Sequence, residues 1–297
     1  MTPDLAGLGL PASESRALHH LLNQALRRTG GDRPPVAAVL PWSAQHFGLN
    51  RVQCFRAAAE ADQQAILAAA SRALLEEAYF IEKAGMGYMA RMVTLADTTE
   101  ERMLYSLFGA DEAQHFAAIR GLLPEEPVGS EDPFLRLLAQ VVASEDKLLL
   151  VFVLQGVLEG WGLTHYRTLA HDCQDPALGS LLKGFLQAES QHHGAGCVLC
   201  EAATLSPATE AAILETLAPF LQMVQVGPQR VLGAIAQQLG DLSRAQRCHV
   251  LEELDTLTHS GTRLQVLRQI IARLHPALGD RLAEAGLFTP LPAHQCV

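Results

Sequence analysis

Six residues of this chain have the types and spacing to hold metal ions: Glu82, Glu112 and His115, then, 77 positions later in each case, Glu159, Glu189 and His192. Within each copy the second Glu follows the first by 30 positions, and the His follows by three more. Residues three apart on an α-helix project from one face, so each Glu-x-x-His presents a carboxylate and an imidazole together. The earlier Glu can meet them only if the chain folds back. Asp97-Thr98-Thr99 punctuates the first copy and Gln174-Asp175-Pro176 the second, each turn lying about 15 residues from both Glu residues of its copy. In antiparallel helical arms each Glu pair would lie level, about 22 Å from its turn. Two such hairpins packed face to face would bring four carboxylates and two imidazoles into one interior. Like charges buried that way are costly unless cations offset them, and two divalent ions would do so.

This arrangement resembles the ferritin-like di-iron or di-manganese carboxylate superfamily, in which two helices each give a Glu and two others each give Glu-x-x-His. All six ligand positions match, over a segment from about Leu74 to Cys200. The resemblance implies an all-α, ferritin-like four-helix bundle with additional N- and C-terminal helices. It also implies that Glu112 and Glu189 bridge two Fe ions (alternatively Mn, or mixed Fe/Mn), with Glu82 and Glu159 bound more terminally. Asp111, directly before Glu112, resembles the family's outer-shell Asp that holds a His of the opposite half, here His192; Ala188 takes the matching place in the second copy. Asp111 reads equally well as a surface residue.

Composition agrees with a helical reading. The chain has 297 residues, 49% of them hydrophobic and rich in Ala and Leu, and lacks long β-type alternation between tight turns. A net charge of −10 with dispersed basic residues argues against nucleic-acid or anionic-membrane partners. No signal peptide is visible at the N-terminus. The most apolar run, Leu148 to Leu158, is eleven residues including Gln155, which reads as a buried helix rather than a membrane span. Six cysteines in a leaderless chain suggest reduced thiols and a cytoplasmic protein.

Three segments are expected: 1–56, an N-terminal helix and covering loop; 57–204, the di-metal bundle; and 205–297, a C-terminal helical extension. Ser13 to Arg28 has the leucine spacing of an amphipathic helix, ended by Gly30 to Pro35. A loop or short helix with Trp42, His46 and Phe47 then lies over the bundle. Helix A is expected from about Ala57 to Leu95. Thr98 with Glu101 forms a capping-box signature for helix B, which runs to about Arg120. The Pro-containing Gly121-to-Asp132 segment is long enough to cross the bundle end to end. Asp132-Pro133 opens helix C, carried through Glu159 to about His171, and Asp175-Pro176 opens helix D, ending near Thr204. Beyond it, shorter helices break at Gly227-Pro228, Gly240-Asp241, Ser260-Gly261 and His275-Pro276. This extension would cover the bundle or form a subunit interface, as in a homodimer.

Several neighbours of the six share their faces. Gly85 and Gly162 each follow a ligand Glu by three positions, and mid-helix Gly costs about 1 kcal/mol relative to Ala, so close helix packing or an open pocket is expected there. Tyr105 and Tyr166 lie seven residues from Glu112 and Glu159, for core packing or, second, electron relay; Tyr79, Tyr88 and Trp161 are weaker candidates. His193, Cys197 and Cys200 lie beyond the second motif; a redox dithiol is one reading of the two cysteines, and small buried hydrophobes the favoured one.

The resemblance implies an oxidoreductase that activates O2 at a di-metal centre to oxidise a small organic substrate, with electrons from an external donor, because no dinucleotide fingerprint is present. The paired motifs resemble the oxygen-activating branch, and the short interval from His115 to Glu159 the compact rubrerythrin-like members. Ile119 stands four after His115, where the ribonucleotide reductase subunit has its radical Tyr, which argues against that activity. The missing rubredoxin module argues against that of true rubrerythrins. The alternative is a ferroxidase, iron-handling or peroxide-reducing protein without an organic substrate. A third reading is a helical interaction protein with structural metal.

Overall fold

The computed structural model of the chain describes residues 4–28, 40–127 and 132–297. All regular structure among them is helical. The described residues fall into two compact units, one drawn from Met1–Ala38 and Leu74–Lys147, the other from Val39–Ala73 and Leu148–Val297. The helices in chain order are α1 Arg16–Arg28, α2 Gln53–Ala57, α3 Glu60–Leu95, α4 Thr99–Leu122, α5 Pro133–Val142, α6 Lys147–Asp172 and α7 Pro176–Ala202. They continue as α8 Pro207–Gln225, α9 Gln229–Leu239, α10 Arg244–Glu253, α11 Thr256–Leu274 and α12 Pro276–Glu284.

In the first unit the end of α3 and all of α4 form an antiparallel hairpin. Their contacts run in opposite order: Tyr79 with Phe116, Glu82 with His115, Gly85 with Glu112, and Met89 with Gly109. Thr98 starts α4 as expected, its hydroxyl accepting from the Glu101 N–H at 3.1 Å. The Glu101 carboxylate reaches Asp97 N–H at 2.8 Å, so the reciprocal bond closes one residue earlier than in a standard capping box. Asp132 caps α5, its Oδ1 accepting from Phe134 N–H at 2.8 Å. Of the expected crossover, residues 128–131 lie outside the described residues, as does the Gly30-to-Pro35 breaker.

The expected helix C is two helices. α5 stops at Val142, and α6 begins at Lys147. The cause is local: Ser144 Oγ accepts from Asp146 N–H at 3.1 Å, and Ser144 C=O accepts from Arg91 Nε at 3.3 Å, so side chains take the backbone groups a continuous helix would use.

Lys147 then ties this corner to the α3–α4 turn, with Nζ 2.6 Å from both Asp97 Oδ2 and Glu101 Oε2. Burial is the largest single influence on the ammonium and lowers its pKa. The two carboxylates together outweigh it, so the pKa stands above the ordinary lysine value. A raised lysine pKa stabilises the fold at pH values below the unfolded value, and that contribution fades as pH rises through the folded one. Lys147→Met should therefore cost about 1–3 kcal/mol in urea melts at pH 7, with the gap from wild type closing above the ordinary lysine pKa of about 10.4.

In the second unit α6 and α7 form another antiparallel hairpin, with Gln155 against Gly196, Gly160 against His193, Tyr166 against Phe185 and Ala170 against Gly179. Asp175 caps α7, accepting from the N–H groups of Ala177 and Leu178. Within α6, Val151–Glu159 is wound as a π-helix. The segment expected to cover the bundle lies on this hairpin: Trp42 Nε1 donates to Leu169 C=O at 3.0 Å, and His46 Nδ1 lies 2.8 Å from Asp172 Oδ2.

The C-terminal helices belong to the same unit. α11 packs on α7, α8 and the π-helical stretch of α6, and a Cβ at Gly156 would come within 2.8 Å of Leu274 Cδ1. Ser260-Gly261, expected from sequence to break the chain, sits inside α11 instead. The break falls at Leu254 and Asp255, where Asp255 adopts φ +54° and its carboxylate caps Thr258 N–H. Ser260 is fully buried, so packing overrides a local turn signal there. Among the described residues α6 alone is long and apolar enough to cross a membrane, with a mean hydropathy of 1.4 over its most apolar window. That window is 61% buried inside the protein.

Candidate metal centre

The α3–α4 hairpin brings Glu82, Glu112 and His115 together. Their ligand atoms lie within 4.8 Å of one another, and the residues are 1%, 4% and 6% exposed. His115 Nδ1 is 3.2 Å from Glu82 Oε2. Aromatic side chains stand on either side along the hairpin. Tyr79 packs on Phe116 at 4.9 Å between ring centroids, while Tyr105 meets Tyr88 at 6.4 Å and Phe108 at 6.1 Å, both edge-on. Such walls keep water from the carboxylates and raise the cost of leaving their charge uncompensated.

Gly85 explains how three bulky polar groups fit. A Cβ at that position would overlap Glu112 Oε2 and come within 2.8 Å of its Cδ. The vacancy expected to serve helix packing or a pocket is filled by a candidate ligand.

The α6–α7 hairpin repeats the set. Glu159, Glu189 and His192 place ligand atoms within 4.8 Å of one another, with Glu189 8% and His192 0% exposed and Glu159 half-buried. His192 Nδ1 is 3.7 Å from Glu189 Oε2. In both hairpins the same imidazole nitrogen faces a carboxylate. The counterpart of Gly85 differs: a Cβ at Gly162 would meet nothing within 4 Å, so this side of the second triad is open where the first is filled.

The donor set fits a cation in each hairpin. Two carboxylates offer hard anionic oxygens and the imidazole a neutral nitrogen, a mixture of the kind Fe and Mn take, and three protein ligands leave coordination positions open. A closed structural Zn site would use four, usually with thiolates.

The remaining candidates separate into scaffold and surroundings. Tyr105 is fully buried in its aromatic cluster, and Tyr166 packs edge-on against Phe185 at 5.9 Å. Tyr79 is buried, and burial followed by the nearby Glu126 carboxylate pushes its pKa up to about 12. Trp161 packs against Phe220 at 5.5 Å. Asp111 is half-buried on α4. Cys197 and Cys200 are half-buried thiols rather than full core residues; burial raises both, Cys200 to about 12, so neither is a thiolate near neutral pH.

One functional neighbour escaped the sequence reading. Gln155, fully buried within the π-helical stretch, donates from Nε2 to His192 C=O at 3.1 Å. Its signal was present: it is the one side chain with a hydrogen-bonding group in the apolar run from Leu148 to Leu158. Comparison with known proteins adds no assignment, since no family model, no curated protein and no solved structure matches the chain.

Proposed function

We propose that the two triads bind a pair of iron or manganese ions and serve as the di-metal centre of a ferritin-like oxidoreductase that oxidises a small organic substrate with O2. The observation that carries this reading is the repetition of one Glu, Glu, His set, buried in all but Glu159, in two hairpins of equal arm length. A single Glu-x-x-His is a frequent accident of sequence, but two with the same spacing and the same imidazole edge turned to carboxylate are not.

Bound there, the metals would supply the one-electron redox chemistry that O2 requires. The chain's own residues do the rest. Glu82, Glu112, Glu159 and Glu189 provide four negative charges against the four positive charges of two divalent ions, His115 and His192 provide neutral donors, and the aromatic walls exclude water. In this reading, as the resemblance implies, Glu112 and Glu189 would be the carboxylates shared between the metals and Asp111 would orient His192, while the chain would act in the cytoplasm with electrons from an external reductant.

The test is anaerobic loading of the full chain with Fe(II), followed by metal analysis, magnetic spectroscopy and exposure to O2. Two ions per chain with magnetic coupling between them, and O2 uptake that stops after one turnover until reductant is added, are the expected results. Two uncoupled ions would overturn the di-metal reading. Sustained oxidation of excess Fe(II) would instead favour iron handling, and tight binding with no redox response would leave a structural role.

A further inference from the structure

His193 stands beside His192 but faces away from the triad. Its Nδ1 lies 2.9 Å from the Gln155 carbonyl oxygen. A carbonyl only accepts, so Nδ1 carries the proton and donates, which leaves Nε2 as an acceptor. Cys197 Sγ lies 3.5 Å from that Nε2 and supplies the thiol hydrogen. The imidazole occupies space that only a glycine at 160 leaves open, since a Cβ there would come within 2.6 Å of Cε1.

Gln155 answers in the opposite direction. While its carbonyl accepts from His193, its side-chain amide donates to the carbonyl of His192. Its own Cβ takes the space a side chain at Gly196 would need. Each residue thus binds the other helix's backbone through its side chain, and glycines at 160 and 196 let the two helices approach closely enough to do so.

This reciprocal pair sits in Val151–Glu159, the π-helical stretch that ends on a triad residue. A π-helix is rare and concentrates at functional sites, because its widened turn re-aims the residues that follow. We propose that Gln155 and His193 are positioning residues of the second triad: their crossed hydrogen bonds hold the widened turn against α7 and so fix Glu159 relative to Glu189 and His192. The proposal rests on the metal-binding reading above.

The experiment is anaerobic titration of the full-length protein with Co(II), following the d–d absorption bands, in wild type and three variants. Gln155→Met keeps the side chain's shape over Gly196 and deletes only the donor. His193→Leu deletes the bond to Gln155, and His193→Asn restores an N–H where Nδ1 stood. Gln155→Met and His193→Leu should each weaken one of two Co(II) equivalents about tenfold or more, the range for residues that orient ligands, with altered bands for that equivalent alone. His193→Asn should recover the wild-type affinity and spectrum. Wild-type affinity and bands in Gln155→Met would overturn the proposal even if His193→Leu failed to fold, and so would an Asn variant no better than Leu. A wild-type protein that binds no Co(II) would overturn the metal reading, and this one with it; two-site binding insensitive to Gln155→Met overturns this one alone.

Discussion

Glu112→Gln is expected to lose one metal ion per chain while making the metal-free protein more stable. Glu82 and Glu112 are both almost fully buried, with carboxylate oxygens within 4.8 Å of each other. Two unit charges at such a distance repel by about 3 kcal/mol at an effective dielectric constant near 20. Neutralising one removes that repulsion, so the metal-free melting temperature should rise by about 2–10 °C. The same change removes an anionic ligand. The upward shift that metal gives wild type, about 2.7 kcal/mol at a hundredfold excess over Kd, should shrink accordingly. His192→Ala should likewise cost one ion, from the other hairpin. Elemental analysis of variants loaded side by side, with paired melts, checks both signs. Full occupancy in both variants, or a metal-free Glu112→Gln that melts below wild type, would refute the assignment.

The second large effect separates two glycines that the sequence treats alike. In Gly85→Ala the new methyl would overlap the Glu112 carboxylate, so that side chain must turn away from the place it holds in the triad. Metal affinity of the first triad should fall on the order of 100-fold, the upper end for disturbing the support of a ligand. In Gly162→Ala the methyl meets open space. That variant should keep both ions and gain about 1 kcal/mol from better helix propensity. Calorimetric titration of the two proteins with Mn(II) distinguishes them. Equal behaviour would mean that the filled and open sides do not govern binding.

These glycines also show where sequence reasoning reached its limit. The spacing of Glu82, Glu112 and His115 and of their partners 77 positions later was legible because helix geometry converts intervals of three and equal arm lengths into shared faces. The caps at Thr98, Asp132 and Asp175 were legible because each rests on a bond within three residues. What filled the space at Gly85 was not, since it depends on a side chain 27 positions away. The interruption at Ser144 left only the four polar residues Ser144 to Lys147 between two apolar stretches, with no Gly or Pro to mark a break. The π-helix was hidden for a different reason: when a helix is apolar on every side, periodicity no longer reports its winding. Ser260-Gly261 failed in the reverse sense, as a turn signal held helical by burial.

The two hairpins also differ in when they can be completed. The first unit closes within Lys147 and the residues before it, whereas the π-helical stretch of the second is packed by α11, which ends at Leu274. A chain emerging from the ribosome at about 5–20 residues per second can therefore assemble its first ligand set while the second still lacks the helix that backs Gly156. Of the two ligand sets the amino-terminal one can therefore form first, and the carboxy-terminal one only after nearly the whole polypeptide has been made.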